Sequence, residues 1–335
     1  MTRPCSDPVI VLLQTRSVRK VKGSECRRGR PGDARIDPVQ NRDDDIRRVH
    51  RVLDDLRLES LVDVHTHFMP HSVLAKVWNY FDSVDDRLGT AWPIEYRVDE
   101  DERTDLLRRY RVGTFTSLLY PHKPGMAEWL NGWAAEFADR TPDCVRTATF
   151  HPEPDAARYV RAAVEDGVGV MKCHVQVGNI DVHDPYLDDV WAVLDDAAVP
   201  VVIHCGSGPE PGRHTGPDPI RALLRRFPTL TLLIAHMGMP EYEDFLTLAE
   251  TFDNVGLDTT MVFTDFTEQL SPYPRSALPR LRDLQDKIVF GSDFPNIPYS
   301  YAHAVESVVG LGLGDDWSRA VLHDNWARFS RRTAP

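Results

Sequence analysis

From residue 61 to residue 293, short apolar runs alternate with longer segments whose apolar positions recur every three or four residues. A short apolar run reads as a buried strand and the longer period as an amphipathic helix, so the alternation predicts βα units around a parallel sheet. The predicted strands are 61–67, 112–119, 145–151, 168–174, 199–205, 230–236, 254–258 and 287–293. Eight such runs predict an α/β fold of the (β/α)8 TIM-barrel type. Helices are predicted between them at 102–110, 126–139, 156–165, 186–197, 220–227, 241–252 and 277–284, with 301–309 and 316–329 closing the chain. Another helix is expected to start at Asp43, whose acidic run Asp43-Asp44-Asp45 would favour a helix N-terminus. Residues 1–43 have no such period and are rich in Arg, Lys, Gly, Asp and Pro, which predicts a disordered extension ahead of one domain, 44–335. The segment between His67 and Arg103 is a long connection carrying Trp78, Tyr80, Phe81, Trp92 and Tyr96, the pattern of a lid or binding loop.

Composition narrows the class. The chain has 335 residues, 39 Lys and Arg against 51 Asp and Glu, and a formal charge of −12, which argues against nucleic acid or an anionic membrane as partner. No apolar run approaches the roughly 20 residues of a membrane span, and the 9–13 run is too short for a signal-peptide core. Five scattered cysteines without CxxC spacing predict reduced thiols, hence a cytoplasmic protein acting on a small molecule, with a homodimer compatible.

The chemistry is expected where the runs end. Alternation on a strand puts Asp63, His65 and His67 on one face, and two imidazoles two residues apart can grip one metal ion. The fourth run ends in Lys172 and His174, the fifth in His204, the sixth in His236 and the eighth in Asp293. Buried ionisable groups without a partner cost several kcal/mol, so apolar strands that repeatedly end this way need a shared partner, which a divalent cation supplies. Cys173 and Cys205 alternate away from these residues and are expected to pack in the barrel wall, and His122 and His151 are candidates for the mouth.

His65-Thr66-His67, His204, His236 and Asp293, in this order at these strand ends, together with the closing Leu322-His323-Asp324-Asn325-Trp326, resemble the amidohydrolase superfamily over residues 61–330. The likeness is to the amidohydrolase-related branch that includes aminocarboxymuconate-semialdehyde decarboxylase. It implies one divalent ion on His65, His67, His204 and Asp293, with His236 beside it unligated. Zinc suits such nitrogen and oxygen ligands, with Mn2+ or Fe2+ as alternatives. The resemblance implies a hydrolase of a small, ring-bearing amide, ester or lactone, in which a metal-activated water attacks, Asp293 takes its proton and His236 polarises the carbonyl. The alternative it leaves open is non-oxidative decarboxylation of an aromatic or muconate-like acid. Lys172 either contacts substrate, as His174 is expected to, or is carboxylated and bridges a second metal. Arg213 and Arg97 are candidates for a substrate carboxylate, which a guanidinium matches bidentately.

Overall fold

In the computed structural model, which describes residues 38–330, all strands run parallel in chain order. β1 (Leu61–Asp63), β2 (Val112–Thr116) and β3 (Cys144–Val145) form one sheet. β4 (Thr147–Thr149), β5 (Val170–His174), β6 (Val201–His204), β7 (Leu232–Ile234), β8 (Val255–Asp258) and β9 (Ile288–Val289) form the other. Only Arg146 separates β3 from β4, so these are two halves of the third expected run, and eight runs become eight staves. No ladder joins β9 to β1. Instead, the segments beyond their C-terminal ends are tied by backbone bonds from Val64 N to Phe290 O (3.0 Å), Asp293 N to His65 O (2.8 Å) and His67 N to Phe294 O (2.7 Å). The fold is the expected α/β barrel.

Two expected boundaries shift, and both matter for the site. The first ladder stops at Asp63, and the chain then bends, so His65 and His67 stand beyond the strand. Their backbone hydrogen bonds hold them there in place of a ladder. Likewise β7 ends at Ile234, and His236 sits in a turn with φ 53° and ψ 31°. The connection after β1 is not a plain loop: His71–Asp82 is helical, with Leu74 buried and Val77, Trp78 and Phe81 at helical spacing.

Alternation along the strands separates two apolar layers. Met171, Cys173, Val201, Ile203, Cys205, Leu232 and Ile234 belong to the larger core. Val62, Val170, Val202, Leu233 and Val289 form a second cluster with Trp326 and Phe329 from the last helix, Trp326–Ser330. Gly256 makes room for that plug, since a Cβ there would lie 2.5 Å from Phe329 Cζ. Because Gly256 precedes Asp258 on its strand, the plug fills the N-terminal end of the barrel and leaves the C-terminal end to polar residues.

Among the described residues, 39–330 belong to one compact unit. Of the expected extension 1–43, residues 1–37 lie outside the described residues. The helix expected from Asp43 spans Pro38–Asp55 instead, and proline suits a first helical turn because its missing N–H is not needed there. Asp43-Asp44-Asp45 therefore lies past the first turn, and Asp45 has a different task. It is 4% exposed, and its carboxylate accepts hydrogen bonds from Tyr110 OH (2.7 Å), Tyr96 OH (3.1 Å) and Ala302 N (3.1 Å). Among the described residues no helix is long and apolar enough to cross a membrane.

Candidate metal centre

At the C-terminal end of the barrel, four histidines and one aspartate crowd together, and hydrogen bonds fix which atom each ring presents. His65 Nδ1 lies 2.8 Å from Asp258 Oδ2, His67 Nδ1 2.6 Å from Leu118 O and His236 Nδ1 3.0 Å from Thr260 O. A carboxylate or carbonyl oxygen accepts, so Nδ1 carries a proton in all three rings and Nε2 is the nitrogen turned to the centre. His204 is reversed: its Nε2 lies 3.1 Å from Gly208 O, which frees Nδ1. These are the atoms the four rings offer to the centre.

Asp293 is the acceptor they surround. Its Oδ1 lies 3.0 Å from His67 Nε2 and 3.5 Å from His65 Nε2. Burial pushes the Asp293 carboxyl up, but His67, His236 and His65 outweigh it and hold the group well below the usual carboxylate range. The rings are pushed the other way. Burial, then Lys172, lowers His65; burial, then His204, lowers His174; burial, then His236, lowers His204. Neutral imidazole and ionised carboxylate are the ligating forms. Nε2 of His67 and Oδ1 of Asp293 at 3.0 Å need a cation between or beside them, a proton on the ring or a metal ion, and the donor set itself fits a divalent ion.

One donor atom each from His65, His236 and Asp293 falls within 4.8 Å of the others. His67 joins this group through Asp293. His204 stays outside that limit, its ring centroid 4.7 Å from that of His236 and stacked 4.1 Å from His174 at 12°. The β5–β6 register explains the stack, because His174 and His204 are directly paired. His174 Nδ1 accepts from Val177 N (3.3 Å), which places its proton on Nε2. The Lys172 side chain is fully buried with Nζ 3.1 Å from His65 Nε2, and burial lowers its pKa to about 8 while Asp258 and Asp293 pull it back up.

The tautomer of His236 changes its expected part. With the proton on Nδ1, neutral His236 presents a lone pair to the site and cannot donate to a carbonyl. Lys172 Nζ, 3.1 Å from His65 Nε2, is a donor at the centre, and His174 has its Nε2 proton free of the Val177 contact. The two arginines are placed apart from it: Arg97 makes a bidentate ion pair with Asp82, and Arg213 is exposed on the loop after β6. Cys173 and Cys205 are buried, as expected for packing residues, and burial pushes the Cys173 thiol up to about 12. His122 is exposed; His151 is buried with Nε2 3.2 Å from Gly178 O.

Two residues at the centre escaped the sequence reading. Asp258 ends the seventh run as His204 and His236 end theirs, so the same signal was present. Tyr120 follows the second run, and its ring stands 5.6 Å from His67 and 4.8 Å from His174. The aromatic connection covers this mouth: Trp78 Nε1 donates to Asn296 Oδ1 (3.0 Å), Trp92 Nε1 to Asn296 O (2.8 Å) and Tyr80 OH to Glu210 Oε2 (2.8 Å).

A parallel barrel with histidines and an aspartate at its C-terminal end defines the class of metal-site barrel enzymes. The family model described as amidohydrolase matches residues 62–331, and the chain belongs to that family. No curated protein matches it. Among solved structures, an uncharacterised TIM-barrel protein from Bordetella bronchiseptica is 17% identical with TM-score 0.67, covering 82% of this chain and 99% of that one. A probable 2-pyrone-4,6-dicarboxylic acid hydrolase from Acinetobacter baumannii, with citric acid bound, is 14% identical with TM-score 0.54, covering 81% and 99%. A 5-carboxyvanillate decarboxylase from Novosphingobium aromaticivorans, complexed with manganese and 4-hydroxy-3-methoxy-5-nitrobenzoic acid, is 11% identical with TM-score 0.55, covering 82% and 97%. At these identities the likeness carries the fold.

Proposed function

We propose that the chain is a metal-dependent hydrolase of a small, ring-bearing amide, ester or lactone, working in the cytoplasm. His65 and His67 through Nε2, His204 through Nδ1 and Asp293 through its carboxylate would hold one divalent ion. Zinc is the ion proposed, because three nitrogens and one oxygen with an open position suit it, with Mn2+ or Fe2+ as alternatives. When bound, such an ion supplies Lewis-acid chemistry, polarising a substrate oxygen and making water a stronger acid at neutral pH.

The residues of the chain supply the rest. Asp293, ionised among the histidines, takes the proton of the attacking water. His236 presents its Nε2 lone pair beside Asp293, receives that proton and passes it to the leaving group. Lys172 Nζ and His174 Nε2 donate to substrate oxygens, and a preorganised donor of this kind is worth about 3 kcal/mol in the transition state. Tyr120, with the aromatic connection above it, offers a flat apolar wall to a ring.

The observation that carries hydrolysis over decarboxylation is the orientation of His236. Its Nδ1 proton is committed to Thr260 O, 3.0 Å away, so the ring accepts at Nε2, whereas decarboxylation requires a proton delivered to carbon. The reading favoured second is non-oxidative decarboxylation of an aromatic acid, supported by the similar decarboxylase with manganese and an aryl acid. A panel of lactones, esters, amides and aryl acids on zinc- or manganese-loaded protein, with acid and carbon dioxide followed in parallel, separates them. Acid release without carbon dioxide is expected, and stoichiometric carbon dioxide overturns the hydrolase reading.

A further inference from the structure

We propose that Asp258 is the positioning residue of this centre: it selects the nitrogen that His65 presents and fixes the turn that carries His236. The inference rests on the metal-site reading above, but its first test does not. The Asp258 carboxylate ends β8, is fully buried and divides its two oxygens between two partners' needs. Oδ2 takes the Nδ1 proton of His65 at 2.8 Å. Oδ1 accepts from His236 N at 2.8 Å and from Thr260 N at 3.1 Å. A single side chain thus connects β1, β7 and β8 beneath the His65, His236 and Asp293 group.

Both contacts do something the backbone alone does not. An isolated imidazole distributes its proton between two nitrogens, and a ring that turned its Nε2–H toward the centre would oppose a cation instead of binding it. The Asp258 carboxylate removes that alternative. His236 and Met237 occupy left-handed backbone at φ 53° and 50°, a conformation that is strained for non-glycine residues. The His236 N–H in that turn is held by Asp258, so the carboxylate stabilises the turn that sets where the His236 ring stands.

The substitution Asp258→Asn gives a directional test. Two backbone N–H groups face Oδ1, so the Asn oxygen must remain there, and the amide NH2 must face His65 Nδ1. His65 is then forced to accept at Nδ1 and to carry its proton on Nε2, as happens when an amide replaces a carboxylate behind a catalytic histidine. Nitrogen-15 spectra of histidine-labelled full-length protein, with the His65 signals assigned through His65→Gln, report the tautomer without any metal. In the unsubstituted protein Nδ1–H is expected, and in Asp258→Asn, Nε2–H. Zinc affinity, titrated on the same samples, is expected to fall by about 10- to 100-fold, the range for removing a carboxylate behind a ligating histidine.

Circular dichroism alongside shows whether Asp258→Asn folds. If it does not, the tautomer of the unsubstituted protein still decides. Nε2–H on His65 in that protein overturns the proposal, as does a folded Asp258→Asn with unchanged tautomer and zinc affinity. A tautomer that switches in a protein that holds no zinc supports the positioning role and removes the metal-site reading instead.

Discussion

Nε2 of His67 lies 3.0 Å from Oδ1 of Asp293, while the proton of the same ring is committed to the Leu118 carbonyl 2.6 Å away on its other side. A ring nitrogen and a carboxylate oxygen therefore face each other at the centre of the barrel mouth with room for one cation. A cation is the partner that relieves them, and one divalent ion per chain is expected by elemental analysis of purified protein. His65→Ala and Asp293→Asn should each lose it. Two equivalents, with a carbamate found on Lys172, would replace the mononuclear site by a bridged one.

His236 is expected to behave differently from these ligands. Its Nε2 belongs to the close group with His65 and Asp293, yet the proposed role is proton transfer. His236→Asn should keep most of its metal while turnover falls by roughly 10²- to 10⁴-fold, the usual contribution of a general acid–base. Metal content measured beside kinetics decides: a His236→Asn protein as metal-free as His65→Ala would make His236 a ligand.

Gly291 stands behind His65. A Cβ there would lie 2.1 Å from Thr260 Oγ1 and 2.7 Å from His65 Cβ, too close for either to stay in place. Gly291→Ala should cost about 1–3 kcal/mol of stability in urea unfolding and weaken metal binding through the displaced His65. A variant with wild-type stability and metal affinity would show that the site has slack.

Asp45 makes a prediction about stability alone. Replacing it by alanine leaves the hydroxyls of Tyr96 and Tyr110 and the Ala302 N–H without their buried acceptor. A loss of about 3 kcal/mol or more is expected in equilibrium unfolding, with the turnover of the folded protein unchanged. A loss below about 0.5 kcal/mol would assign this carboxylate no part in holding the first helix.

The strands and most helices were legible because burial on both faces leaves an uninterrupted apolar run and burial on one face leaves a period. Helices Ala156–Glu165 and Tyr301–Val309 have the expected ends. The helix His71–Asp82 carried the same period in Leu74, Val77, Trp78 and Phe81, but its aromatic content suggested a binding loop. Polar strand ends pointed to His65, His67, His174, His204, His236 and Asp293, and the structure gathers them at one mouth. What the pattern does not encode is the direction of a proton. That His65 meets Asp258, 193 residues away, and that His236 turns through left-handed backbone are products of tertiary contact, and they decide which lone pairs face the centre. Arg97 illustrates the opposite error, since a guanidinium available in sequence is taken by Asp82 in space.

The helix Pro38–Asp55 also sets an order of events during synthesis. It is made before any strand, yet Arg48 finds Glu306 across 258 residues and Asp45 finds the Ala302 N–H across 257. Until that distant stretch leaves the ribosome, the carboxylate of Asp45 lacks its third donor and Arg48 lacks its Glu306 partner. Local βα units can form as they emerge, but the first described helix is locked in by residues near 300, so its docking is complete only after they are made.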